Sequence, residues 1–408
     1  MAELSLKSKP IAPPEPGLTP QALLARAAAL VSELRARQAE TEAAGRILPD
    51  VNARLVREGF YRIVQPRRFG GYEFDVPTFY RVMMTVSRGC PETGWVLALT
   101  AGHPLLLASF PEAGQVEAYG AEGEFRGPAA FNPPGTARKV DGGYEVSCAS
   151  VSASGIDIGT HFVGMAMAKG EGPIQFILQK GQYAVVDDWS VMGMQGTGSK
   201  RVDARDVFVP EHRTVKVQAG FRGSQAIPAA RLYDNPMYAG RIQPFLIGEA
   251  VAVAVGAARL ALDLYEDALW NKRTMMGGPV PKQDDPEFQR HYGIALSLVS
   301  TAEAALVQAG EDFMAYAAEA AGGGEPFGEE REHRLVLIEQ QALRMASEAV
   351  ELIYRTAGTS ASAKTGAAIG RVFRNLAVIS THPALQLDRF AVVAAKARFA
   401  ARAEAENA

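Results

Sequence analysis

The sequence is poor in cysteine, having only Cys90 and Cys148 in 408 residues and neither within a CxxC. That excludes a disulfide framework and a thiolate zinc site, and it fits a reducing compartment. An excess of charge of one sign is missing too: 42 Lys and Arg face 45 Asp and Glu, with no clustered basic stripe. A nucleic-acid footprint is excluded on that ground. No apolar run is read as reaching membrane-spanning length, and MAELSLKSKPIAPPEPG at the start lacks the apolar stretch of a secretory signal. The expectation is a cytoplasmic protein with neither nucleic-acid nor membrane partners. Common catalytic signatures are also absent. The glycine-rich GMQGTGS at 193–199 has no P-loop spacing, and no GxGxxG joins a strand to a helix. There is no GxSxG, and His103, His161, His212, His291, His333 and His382 form no metal-ligand pattern. No metal site is expected, and an enzyme of this kind needs a cofactor for the hard chemistry.

What is present is a change of texture along the chain. Its length implies two or three domains. Residues 1–18 are proline-rich and read as a flexible arm. Residues 19–124 carry helical periodicity, opened by Thr19 as N-cap with Pro20 at the first helical position and stopped first at Gly45. PDVNARLVREGF, VPTFYRVMMTVSRG and the more apolar PETGWVLALTAGHPLLLASF continue it. Residues 125–225 are rich in glycine, proline and β-branched residues, and GGYEVS, HFVGMAMA, IQFILQK, YAVVDDW and VDARDVFV read as strands. Residues 226–408 form a helical bundle, whose last pair follows Gly366 and Pro383. The alanine-rich stretches 249–270 and 292–321 have too little polar surface for solvent-facing helices, which implies oligomerisation. The fold class is mainly α with a central β domain.

Five strings follow one another in order over roughly residues 20–400: LVREGFYRIVQPRRFGGYE, TGWVLALTAGHP, GGYEVSCASVSASG, GMQGTGSKRVDARDVFVPEHRTV and RVFRNLAVISTHPALQLDR. Together they resemble the acyl-CoA dehydrogenase superfold. More narrowly they resemble its two-component flavin monooxygenase branch, the oxygenase components of 4-hydroxyphenylacetate and steroid-phenol hydroxylases. The resemblance implies an N-terminal helical domain, a middle β-barrel or sandwich and a C-terminal four-helix bundle assembled as a homotetramer. It also implies reduced flavin (FMNH2 before FADH2) from a separate NAD(P)H:flavin reductase, O2 as co-substrate and hydroxylation of a small aromatic, phenol-like compound.

Site residues follow from the same resemblance. Ser154 of VSASG matches the serine that bonds flavin N5, with Ser152 next. Trp95 lies over the flavin, and Thr197 and Ser199 sit in a turn beside it. His382 faces the flavin and handles a proton during oxygen activation. His103 bonds a substrate hydroxyl, and GPAAFNPPGTA, with Ala129 and Asn132, lines the substrate side. Read from residue pattern alone, Trp95 is a core tryptophan and His103 a histidine ending a helix before Pro104. His382 is then an N-terminal histidine of the last helix with Pro383 at its first position, and GTGS a hairpin turn with positive φ at Gly196 and Gly198. Three departures from the family stand out. Ser150 and Ser152 replace bulky aromatics, implying a roomier pocket; Ala129 and Ala130 stand where phenol hydroxylases tend to place a serine; Arg374–Asn375 replaces an Arg–Asp pair. Two other readings remain: an acyl-CoA dehydrogenase, which needs a glutamate base in the bundle, and a flavin-free helical scaffold of the same fold.

Overall fold

The computed structural model describes residues 10–217, 229–274, 279–363 and 367–406. Residues 1–9 of the arm, the 225/226 limit and Gly366 lie outside them. Helices come first: α1 (Pro20–Ala36), α2 (Gln38–Ala44), α3 (Pro49–Arg57), α4 (Val76–Gly89), α5 (Pro91–Gly102), α6 (Pro104–Leu107) and α7 (Glu112–Tyr119). Strands follow: β1 (Ala129–Val140), β2 (Gly143–Ala153), β3 (His161–Ala168), β4 (Gly172–Gln179), β5 (Ala184–Val186), β6 (Lys200–Pro210) and β7 (Thr214–Lys216). The chain then returns to helix in α8 (Ala229–Leu232), α9 (Ile242–Asn271), α10 (Pro286–Ala321), α11 (Glu329–Thr356), α12 (Ala368–Ser380) and α13 (Leu387–Glu406). The expected mainly helical chain around a central β domain is what folds.

Local chemistry sets most helix limits. Thr19 accepts the Ala22 N–H at 3.2 Å ahead of Pro20, and Asp285 caps α10 the same way ahead of Pro286. The first helix does not run unbroken to Gly45. It breaks at Arg37, whose guanidinium pairs with Glu40 and Asp50, and Gly45 ends α2 in the left-handed region. Pro104 splits the next apolar run into α5 and α6, because it has no N–H to continue the ladder.

The strands form one sheet in the order β5-β6-β2-β1-β3-β4-β7, antiparallel except for the β1–β3 pair. Strand β1 was not legible, because Pro133 and Pro134 argue against a strand. The register with β3 shifts between Ala130 and Gly135, so the prolines fall in the irregularity. The sheet has its own apolar core, while Val163 and Ile177 join the helical one.

Among the described residues two helices, α9 and α10, are long and apolar enough to cross a membrane, contrary to the reading that no run is. In α9, 89% of the apolar window is buried within the protein. It packs on α4, α5, α10 and α11, and small residues allow the approach: a Cβ at Gly256 would lie 2.3 Å from the Met84 carbonyl. Most of the apolar surface of 249–270 is thus covered inside one chain, leaving Trp270 at its end exposed, and the covered part gives no argument for assembly. Helix α10 differs, with 33% of its window buried.

Candidate active site

Among the described residues, helix α5 hydrogen-bonds to the β domain at three points. Near its start, buried Glu92 accepts the Gly196 N–H at 2.8 Å; burial pushes its carboxyl up to about 7 against that bond. One turn on, the Trp95 indole donates to Ser154 Oγ at 3.0 Å. At its end, His103 Nδ1–H donates to the Gly127 carbonyl at 2.6 Å.

Ser154 follows β2 directly. The β2–β6 register slips between Ser150 and Ala153, where Ser152 adopts a φ of +64°, and this irregularity turns the chain toward α5. Ser154 Oγ lies 2.7 Å from Ser199 Oγ, which lies 2.6 Å from Thr197 Oγ1; Thr197 in turn donates to the Met194 carbonyl at 2.7 Å. All three hydroxyl residues are buried. Ser152 itself is exposed, and Ser150, also expected to widen the pocket, is fully buried.

The glycine-rich loop is no hairpin with positive φ at Gly196 and Gly198. Residues 195–197 form a 3₁₀ turn, with positive φ at Met194 and Gly198. Gly196 is needed for closeness instead, since a Cβ there would sit 2.6 Å from the Thr41 side chain and 2.8 Å from its carbonyl. Helix α12 clamps the loop: Asn375 Oδ1 accepts the Met194 N–H at 2.6 Å and Arg374 donates to the Met192 carbonyl at 2.9 Å. Asn375 thus serves the loop backbone, while Arg371 and Arg374 both pair with Glu42, at 2.6 and 2.5 Å.

His382 lies just beyond α12, its ring edge-on to Trp95 with centroids 6.0 Å apart. It does not open the last helix. The His382 carbonyl accepts the Leu385 N–H, Pro383 occupies a turn, and the Gln386 side chain donates to the carbonyls of Ser380 and His382, delaying α13 to Leu387. One side of His382 is open, and the protein packed on the other pushes its pKa below the ordinary imidazole value. Its Nδ1 accepts the Ala384 N–H at 3.3 Å, so the neutral ring carries its proton on Nε2.

His103 is buried, and its Nε2 faces Glu249 Oε1 of α9 at 3.6 Å. Burial pushes Glu249 up to about 7, opposed by His103, and Glu249 Oε2 has no hydrogen-bond partner. Sequence reasoning missed Glu249 and Glu92. A lone carboxylate opening the apolar run EAVAVAVGAA was the available signal. Ala129 is half-buried at the start of β1 and Asn132 is exposed in its irregular stretch, both downstream of the carbonyl that His103 holds. Two further buried glutamates of the bundle, Glu332 and Glu339, face Arg241 and Tyr80.

The family model described as acyl-CoA dehydrogenase, C-terminal domain, matches residues 249–387. The chain is 30% identical over 369 residues to the flavin-dependent monooxygenase oxygenase subunit HsaA of Rhodococcus jostii (strain RHA1), covering 88% of this chain and 94% of that protein. It is 31% identical over 291 residues to the oxygenase component of the FADH(2)-dependent resorcinol hydroxylase of Rhizobium sp. (strain MTP-10005), covering 69% and 70%. The crystal structure of 3-HSA hydroxylase from Rhodococcus sp. RHA1 superposes with a TM-score of 0.85 and 28% identity, over 93% of this chain and 97% of that one.

Proposed function

The chain belongs to the family of flavin-dependent monooxygenase oxygenase subunits with the acyl-CoA dehydrogenase fold, and on that premise we propose that it hydroxylates a small phenol-like aromatic with O2. Reduced flavin, FMNH2 or FADH2, comes from a separate NAD(P)H-dependent reductase. The observation that carries this reading is the convergence of Trp95, Ser154 and His382, from α5, the end of β2 and the turn after α12.

These residues suit a reduced isoalloxazine ring. Ser154 presents a hydroxyl oxygen held from behind, Trp95 an apolar face, and His382 an open edge with a neutral ring. The flavin, when bound, supplies the electrons and the oxygen activation. Ser154 orients it, and His382 holds or moves a proton at Nε2. A phenolic hydroxyl meets His103 only at Nε2, where it shares a proton with the imidazole and a carboxyl of raised pKa. Ala129 and Asn132 line the same side, and without a serine hydroxyl at 129–130 the pocket discriminates weakly by hydrogen bonding. An acyl-CoA dehydrogenase base is not favoured, because Glu249, Glu332 and Glu339 have partners outside the Trp95–Ser154 cluster.

We further propose a cytoplasmic homotetramer, supported by two buried free thiols and by apolar residues exposed on α10 and α13, including Ile294, Val392 and Phe399. A monomeric mass at micromolar concentration contradicts that assembly. The function is tested by mixing the purified chain anaerobically with reduced flavin, then adding O2 and a phenol. Tight binding and a hydroxylated product support it. Steady NADH oxidation by the chain alone overturns the two-component assignment, and failure to bind flavin favours the scaffold reading.

A further inference from the structure

We infer that the hydroxyl chain behind Ser154 selects the redox state of the bound flavin, with Ser199 and Thr197 as positioning residues; this rests on the flavin reading above. Oxygens at 2.6–2.7 Å repel unless a hydrogen lies between them, and the chain contains three such contacts. The Met194 carbonyl has no hydrogen to give, so Thr197 donates to it. Ser199 must then donate to Thr197, and Ser154 to Ser199. Three contacts consume three hydroxyl hydrogens, which leaves one assignment.

At the other end, the Trp95 indole is a donor only and gives its hydrogen to Ser154 Oγ. Ser154 therefore keeps one lone pair and no hydrogen for anything that docks on it. Reversing the chain would set the buried Thr197 Oγ1 against the Met194 carbonyl oxygen at 2.7 Å with no hydrogen between them, a carbonyl that the Trp189 indole already serves at 3.0 Å.

The flavin ring nitrogen N5 is a bare acceptor when oxidised and gains a hydrogen on reduction. Against an acceptor-only Ser154, reduced flavin makes a hydrogen bond, while oxidised flavin sets lone pair against lone pair. The site thus holds the incoming reduced cofactor and releases the spent one for the reductase to recharge.

The test compares dissociation constants for oxidised flavin, read from its visible spectrum, and reduced flavin, measured anaerobically, with no turnover involved. The unsubstituted chain binds the reduced form more tightly. Ser199→Ala frees the Ser154 hydrogen to donate outward, so oxidised flavin tightens and the ratio of the two constants narrows by about tenfold. Thr197→Val shifts the ratio the same way, whereas Thr197→Ser, which keeps the hydroxyl, leaves it unchanged. Circular dichroism confirms folding; should Ser199→Ala fail to fold, the two Thr197 variants decide by the same ratio. An unchanged ratio in folded Ser199→Ala and Thr197→Val overturns the inference and spares the flavin reading. An unsubstituted chain that binds neither redox state overturns both.

Discussion

The middle and the far end of α5 handle hydrogen in opposite ways. Around Trp95 and Ser154, each hydroxyl hydrogen has one acceptor, and neither the hydroxyls nor the indole titrate near neutrality; the nearest group that does is Glu92, one turn earlier, whose carboxyl burial pushes up to about 7. About 12 Å along the helix axis, His103 and Glu249 share a buried place where a carboxylate oxygen lacks a partner and the carboxyl pKa rises to about 7. One region is fixed by bond direction, the other by a proton. A cofactor that must be held in one orientation suits the first, and a substrate whose proton must move suits the second.

The strongest way to break this comparison is at His382, which borders the fixed region yet can move a proton. His382→Ala should fold and still bind reduced flavin, because the residue sits in a turn with an open side. Product per reduced flavin should fall by about 10²- to 10⁴-fold, with hydrogen peroxide released in its place. Product analysis beside a peroxide assay checks this, and full product yield makes the histidine structural.

The proton-governed region is next. Burial raises the Glu249 pKa from 4.5 to about 7, so the folded chain keeps a proton that the unfolded chain has lost. That contribution is complete below about 4.5 and is lost as pH rises through about 7. Glu249→Gln should therefore gain stability relative to the unsubstituted chain by about 1–3 kcal/mol between pH 5 and pH 8. Denaturant melts at the two pH values measure it, and a constant difference refutes the assignment. Gly102→Ala attacks the same pair sterically, since its Cβ would lie 1.9 Å from Glu249 Oε2. It should cost about 1–3 kcal/mol, measured by the same melts. The smallest effect is expected at Trp95→Phe, which keeps the ring face and removes the donor to Ser154. Reduced-flavin binding should change by less than about tenfold, as one hydrogen bond is worth about 1 kcal/mol.

How much of this was legible follows the same division. Texture order and the α5 segment could be read because helical period, apolar run and a multi-part resemblance all act over many residues. Glu249 could not, because a single carboxylate in an apolar helix becomes informative only when α5 is seen across from it. Strand β1 was hidden by Pro133 and Pro134, whose cost is avoided by a register shift that no local rule announces. His382 was located in sequence but assigned to the wrong element, because Pro383 suits a helix start as well as a turn. The direction of the hydroxyl chain through Thr197 and Ser199 needed distances: the loop shows hydroxyls, and only their spacing in the fold orders the hydrogens.

The most direct measurement is a single turnover with reduced flavin, a phenolic substrate and isotopically labelled O2, followed by mass spectrometry of the product. The account predicts one labelled oxygen atom in the hydroxylated aromatic, formed without NADH in the reaction. A hydroxylated product that carries no label, or a chain that binds reduced flavin yet never oxygenates any aromatic while desaturating an acyl thioester, contradicts it.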